Sequence, residues 1–138
     1  MSRVQLAINV PDLEVAIEFY SRLFGTAPHK HHDGYANFAI ADPPLKLVLF
    51  EAPGANEVLN HLGVEVETTD EVEAAQRRLT DSGLDATDAS GTCCFALQDK
   101  VWIEAPDGVK WEVYTVLADS PTFFAEATDD TEKPTCCS

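Results

Sequence analysis

The residues of this chain best equipped for chemistry are two adjacent thiols, Cys93-Cys94, and three widely spaced ligating side chains, Gln5, His61 and Glu112. Two soft sulfurs one residue apart suit a thiophilic ion such as trivalent arsenic or cadmium, whereas an amide, an imidazole and a carboxylate form a harder set suited to a first-row divalent metal. Thiolates, not thiols, bind soft ions. Trivalent arsenic accepts up to three sulfur or oxygen donors, so two cysteines would leave one position for another group. Neighbours on a regular strand point to opposite faces. Both sulfurs reaching one ion therefore requires irregular backbone, which Ser90-Gly91-Thr92 just before the pair can supply. Without chemistry, Cys93 and Cys94 would be two small core residues, since cysteine is among the most buried residue types.

The elements that must position Gln5 and His61 form a degenerate repeat. Val4-Gln5-Leu6-Ala7-Ile8-Asn9-Val10 resembles Asn60-His61-Leu62-Gly63-Val64-Glu65-Val66, so that Gln5 falls on His61. Leu6, Ile8 and Val10 alternate with the period of a half-buried strand, which puts Gln5, Ala7 and Asn9 on its other face. A helix follows each strand. Pro11 and Asp12 open the first, with Leu13, Ala16, Ile17, Tyr20 and Leu23-Phe24 at helical spacing before Gly25. Thr69 or Asp70 caps the second, with Val72, Ala75 and Leu79 as its stripe before Gly83. Short strands complete each half: Tyr35–Ile40 and Leu45–Glu51 in the first, and Thr92–Leu97, Val101–Glu104 and Trp111–Val116 in the second. Pro106-Asp107-Gly108 signals a turn before the last of these. The predicted class is α+β, with two tandem βαβββ modules (about residues 3–52 and 59–118) forming a cleft within one domain of residues 1–118. Residues 119–138 are predicted to be an acidic, Cys-ended flexible tail.

The two halves differ in a way that bears on the metal. Laying Leu45-Lys46-Leu47-Val48-Leu49-Phe50 on Val109-Lys110-Trp111-Glu112-Val113-Tyr114 sets an apolar Val48 opposite Glu112. A metal held by Gln5, His61 and Glu112 alone would keep open positions for substrate or dioxygen, as catalytic sites require. Taken singly, each residue has a plainer reading: a solvated strand-edge Gln, a hydrogen-bonded core His, an outward charge on an amphipathic strand. Their match to the repeat favours the joint one.

Composition excludes several functions. Nine basic against 24 acidic residues give a net charge of −15, which repels a phosphate backbone and argues against nucleic acid. No stretch approaches the roughly 20 apolar residues of a membrane helix, and the N-terminus lacks a signal-peptide core. A cytoplasmic protein is expected. The cysteines form two adjacent pairs, Cys93-Cys94 and Cys136-Cys137. Bonds between sequence neighbours are strained and staple no loop, so working thiols in a reducing compartment fit better than a disulfide framework. His29, His31 and His32 lie in what reads as a solvated loop after the first helix.

Paired βαβββ modules with Gln5, His61 and Glu112 at strand positions, and "APDGVKWEVY" ahead of and along the glutamate strand, resemble the vicinal oxygen chelate superfamily of glyoxalases, bleomycin-resistance proteins and extradiol dioxygenases. The resemblance covers about residues 3–118. The segments "GYANFAIADPPLKLVLFE", "LNHLGVEV" and "TCCFALQDKVW" are similar to the arsenic-inducible C–As lyase and cadmium-induced protein family. That resemblance implies Fe(II) at Gln5, His61 and Glu112, and a trivalent organoarsenical held by Cys93 and Cys94. It further implies dioxygen-dependent cleavage to arsenite, with the organic part leaving in oxidised form. It leaves room for a homodimer, and for Cys136 and Cys137 either to pass a thiophilic ion to the inner pair or to be idle. Two other functions share the same features: cadmium or arsenic capture without turnover, and another dioxygenase or glyoxalase-like activity.

Overall fold

A computed structural model of the chain describes residues 2–123. The chain forms two compact units that divide between Gly63 and Val64. The first contains β1 (Arg3–Val10), α1 (Leu13–Phe24), β2 (Lys30–His32), β3 (Tyr35–Ile40), β4 (Leu45–Glu51) and most of β5 (Leu59–Glu65). The second takes the end of β5, α2 (Thr69–Asp81), β6 (Thr87–Asp88), β7 (Gly91–Cys93), β8 (Ala96–Glu104) and β9 (Lys110–Asp119). The fold is α+β. Its order reads βαβββ on the first pass and βα followed by four strands on the second, where β6 is an added two-residue strand.

In the first unit β4 pairs parallel with β1 and antiparallel with β3, and β2 extends β3. This register aligns Ile8, Leu49 and Ala36 on one face and Ala7, Val48 and Asn37 on the other. Helix α1 covers the first face. Asp12 accepts a hydrogen bond from Val15 N at 3.2 Å to start the helix, and Gly25, at φ 65°, ends it in the left-handed conformation that glycine adopts without strain. Leu13, Ala16, Ile17, Tyr20 and Phe24 then pack on Ile8, Val10, Phe38, Ile40, Leu47 and Leu49. Phe38 and Leu49 are fully buried, each stabilising the unit by roughly 1.5–3 kcal/mol. The opposite face keeps buried polar groups, and it is the one that carries Gln5.

In the second unit β8 and β9 form a long antiparallel pair, with a register irregularity at Leu97/Gln98, and β6 and β7 both pair with β8. Helix α2 lies against β8 and β9 and buries Val72 and Leu79. Its cap is Thr68, not Thr69 or Asp70: Thr68 accepts from Glu71 N while the Glu71 carboxylate accepts from Thr68 N. This reciprocal capping box satisfies two helix-end donors at once, which explains why the helix starts one residue earlier than the apolar stripe suggests. The Ala105–Val109 turn closes through Ala105 N to Val109 O at 2.8 Å. No helix among the described residues is long and apolar enough to cross a membrane.

Three boundaries differ from the sequence expectation. Residues 92–97 are not one strand but a tight hairpin, β7–Cys94-Phe95–β8. Lys30–His32 is an edge strand and not a loop, since His29 N and β2 bond to β3. Strand β9 runs on to Asp119, because Ala96 and Leu97 supply partners for Asp119 and Ala118. Residues 124–138 of the predicted tail, with Cys136 and Cys137, lie outside the described residues.

Candidate functional site

Gln5 and His61 come from β1 and β5 of the first unit and are both buried. Gln5 Nε2 stands 3.0 Å from His61 Nε2. His61 Nδ1 lies 2.7 Å from Asn60 Oδ1, which can only accept, so Nδ1 carries the proton and Nε2 presents its lone pair. Asn60 in turn donates to Asn9 Oδ1 at 3.0 Å, and Asn9 donates to the Glu57 carbonyl at 3.1 Å. This chain of amides fixes the imidazole as a metal-ligating histidine is usually fixed, through its second nitrogen. As it stands the contact is a hydrogen bond, Gln5 Nε2 donating to His61 Nε2; two donors each about 2.1 Å from one ion and at right angles to one another would stand a similar distance, about 3.0 Å, apart. A half-turn of the Gln5 amide presents its oxygen in place of its nitrogen. Gln5 and His61 thus meet the steric demand of a shared ion.

Glu112 lies in β9 of the second unit and is buried, not the outward charge that an amphipathic strand allowed. Lys100, from the facing strand β8, donates Nζ to Glu112 Oε2 at 3.0 Å. The ammonium lies 5.6 Å from the Trp102 ring centroid and 5.9 Å from that of Tyr114. With side-chain exposures of 1% and 4%, the pair is a buried ion pair whose desolvation must be offset by its own attraction and the aromatic faces. Lys100 is the site residue that sequence reading missed. The available signal was a lysine directly between Asp99 and the apolar Val101-Trp102-Ile103 on a strand facing the glutamate, a position where an unpaired lysine is rarely buried. Tyr114, two residues along β9 from Glu112, lies beside Lys100.

The thiol pair sits at the β7–β8 hairpin. Cys93 pairs with Ala96 and the two-residue turn is Cys94-Phe95, with φ 52° and 62°. Two positive φ values make this the primed turn that matches the twist of a hairpin, usually built from Asn-Gly. For cysteine and phenylalanine the left-handed conformation costs roughly 1–2 kcal/mol each. The turn supplies the irregularity that a shared ion requires, in the pair itself more than in Ser90-Gly91-Thr92. Cys93 Sγ and Cys94 Sγ are 3.2 Å apart, well beyond the roughly 2.05 Å of a covalent S–S bond between them. Neither is a free thiol, so ion binding requires their reduced form.

These groups do not form one cluster in the second unit. Cys93 is opposite Ala96 on β8 and Glu112 is opposite Trp102, so about 20 Å of strand, at roughly 3.3 Å per residue, separates the hairpin from the carboxylate. Among the described residues no group of three or more His, Cys, Asp or Glu gathers. The Gln5–His61 pair, with its amide member, is not of that kind. Among the aromatics of the first unit, Phe38 packs under α1. Tyr35 remains on the face of Gln5, 5.6 Å from Phe50, which is 6.3 Å from His61. His31 Nε2 lies 2.9 Å from Glu14 on α1, an exposed helix-to-strand contact.

Comparison with known proteins places the chain in a family. A family model described as the Glyoxalase/Bleomycin resistance protein/Dioxygenase superfamily matches residues 3–113. The chain is 61% identical over 142 residues to the cadmium-induced protein CadI of Mycobacterium tuberculosis, covering 99% of this chain and 93% of that protein. It is 56% identical over 139 residues to a trivalent organoarsenical cleaving enzyme of Thermomonospora curvata, covering 99% and 89%. Among solved structures, the 2,3-dioxygenase LapB of Pseudomonas sp. KL28 superimposes with a TM-score of 0.66 at 22% identity, over 86% of this chain and 42% of that one. The Mn(II)-bound glyoxalase of Novosphingobium aromaticivorans does so with a TM-score of 0.60 at 19% identity, over 87% and 42%. These two likenesses speak to the fold. By its family match, its near relatives and its α+β architecture, the chain belongs to the glyoxalase, bleomycin-resistance and dioxygenase superfamily, with the vicinal oxygen chelate fold.

Proposed function

We propose that this protein is an Fe(II)- and dioxygen-dependent C–As lyase that converts trivalent organoarsenicals to arsenite. The observation that carries the reading is the approach of Gln5 to His61 at 3.0 Å, the spacing of adjacent donors on one ion, in a chain 56% identical to an organoarsenical cleaving enzyme. Glu112 is the third ligand in this account. Iron, when bound, supplies the capacity to bind and reduce dioxygen, which closed-shell zinc lacks.

The chain's own residues then have distinct tasks. Asn60 keeps the His61 proton on Nδ1, so that Nε2 stays available. Lys100 orients the Glu112 carboxylate and balances its charge in a dry setting. Cys93 and Cys94, once reduced, exchange for two hydroxyls of the arsenical and leave the carbon substituent as its third group. The overall change balances without another reductant. For a methyl substituent, CH3As(OH)2 + O2 gives As(OH)3 + CH2O: the C–As bond breaks, arsenic gains a hydroxyl, and carbon is oxidised by the four electrons dioxygen accepts. The hairpin lies about 20 Å of strand from Glu112.

That separation also favours a second reading, in which the pair captures arsenic or cadmium without turnover, a role in keeping with the cadmium-induced relatives. The double variant Cys93→Ser/Cys94→Ser, starting from reduced protein, tests the difference. Arsenite release from a limiting trivalent methylarsenical is expected to fall at least about a hundredfold, since a held substrate no longer supplies the orientation entropy. Unchanged release would remove the thiols from the reaction. Tight binding by the wild type without any arsenite release would favour capture.

A further inference from the structure

The hairpin that carries the thiols is strained, and something must hold it. On the Phe95 side, Ser120 N donates to the Phe95 carbonyl at 2.8 Å, and the Phe95 ring meets Phe123 edge-on at 5.4 Å. On the cysteine side, Gln98 Nε2 donates to the Cys93 carbonyl at 2.9 Å. Gln98 lies on β8 opposite Gly91 of β7, where the β8–β9 register slips between Leu97 and Gln98.

Gln98 is buried, and its Oε1 has no hydrogen-bond partner among the described residues. A buried amide that satisfies only its donor is a poor choice for packing alone, because the orphaned oxygen forfeits its hydration. A leucine of similar size would fill the same volume with no such penalty. The amide orientation is set by the Cys93 carbonyl, which accepts and cannot donate. The residue is therefore arranged around that one bond, and that bond fixes the backbone directly before the second thiol.

We propose that Gln98 is the positioning residue of the thiol pair: by holding the Cys93 carbonyl it keeps the primed turn in register and both sulfurs within the bite of one trivalent arsenic ion. The inference rests on the reading of Cys93 and Cys94 as the arsenical grip. Gln98 touches neither sulfur in this role. It acts by pre-organising the turn, so its effect should fall on two-sulfur binding and not on one-sulfur binding.

The test uses full-length reduced protein carrying Cys136→Ser and Cys137→Ser, so that only the hairpin thiols remain, with inorganic arsenite titrated by calorimetry. The parent is expected to bind one arsenite. Gln98→Leu is expected to bind it about tenfold more weakly, the scale of one lost hydrogen bond. Gln98→Glu, which keeps the shape but lacks the donor at pH 8, should weaken it as much and so reads the bond apart from packing. Methylmercury, which takes a single thiolate, should bind a Cys94→Ser protein equally well with and without Gln98→Leu. Arsenite affinity unchanged in both Gln98 variants would overturn the inference, as would an equal loss of methylmercury affinity. If instead Cys93→Ser/Cys94→Ser bound arsenite as the parent does, the grip itself would be wrong, a failure distinct from the first two.

Discussion

Replacing His61 with alanine is expected to abolish stoichiometric Fe(II) binding. The imidazole is the strongest single donor in the set, and its ring is oriented through Nδ1 by Asn60 at 2.7 Å, with Nε2 directed toward Gln5. Disturbing a partner one step removed from a metal typically costs 10–100-fold in affinity, so removing the ligand itself should cost at least about a hundredfold. Asn60→Leu should fall in the smaller range, because it leaves Nε2 in place and frees only the tautomer. Protein loaded anaerobically, desalted and analysed for metal gives the answer directly. Full iron occupancy in the His61 variant would take this residue out of the site.

The second large effect concerns stability. Lys100→Met should cost about 3–5 kcal/mol, because it strands the Glu112 carboxylate in a buried setting without its cation. On the scale of a domain this size, that lowers the melting temperature by about 10 °C or more. Replacing both partners, Lys100→Met with Glu112→Gln, should recover much of the loss, since the penalty lies in the uncompensated charge. A divalent metal adds a discriminating result. If Glu112 is a ligand, saturating Co(II) or Fe(II) should raise the melting temperature of the Lys100 variant more than that of the parent, by supplying the missing positive charge. A loss below about 1 kcal/mol would show that water already reaches the pair.

Much of this fold was legible because the apolar alternation of β1, β3 and β4 is regular and the turn residues stand where the periodicity breaks. Tyr35–Ile40 and Leu45–Glu51 appear with the bounds their patterns suggest, and α1 begins and ends at Asp12 and Gly25. The hairpin at Cys94-Phe95 was not legible, since primed turns are signalled by Asn-Gly and not by Cys-Phe. Its positive φ values accompany the β7–β8 pairing, and the turn also meets Ser120 and Phe123 from beyond β9, contacts that no local pattern announces. Lys30–His32 hid as a strand because its pairing with β3 overrides a polar composition. Of the candidate site, the repeat put Gln5 and His61 at matching strand positions, and their side chains meet at 3.0 Å. Lys100 has no counterpart in the repeat, and its burial follows from the charge it meets on β9.

The reaction class rests on one requirement, that arsenite release depends on both Fe(II) and dioxygen. The direct measurement loads reduced full-length protein with Fe(II) under strict anaerobiosis, adds a trivalent methylarsenical, and quantifies arsenite before and after admitting air, with a Zn(II)-loaded sample alongside. The account expects no arsenite above background until oxygen enters, one formaldehyde per arsenite thereafter, and none from the zinc sample at any stage. Equal arsenite yields with and without oxygen, or full activity of the zinc form, would contradict it and leave a hydrolytic or purely binding member of the superfamily.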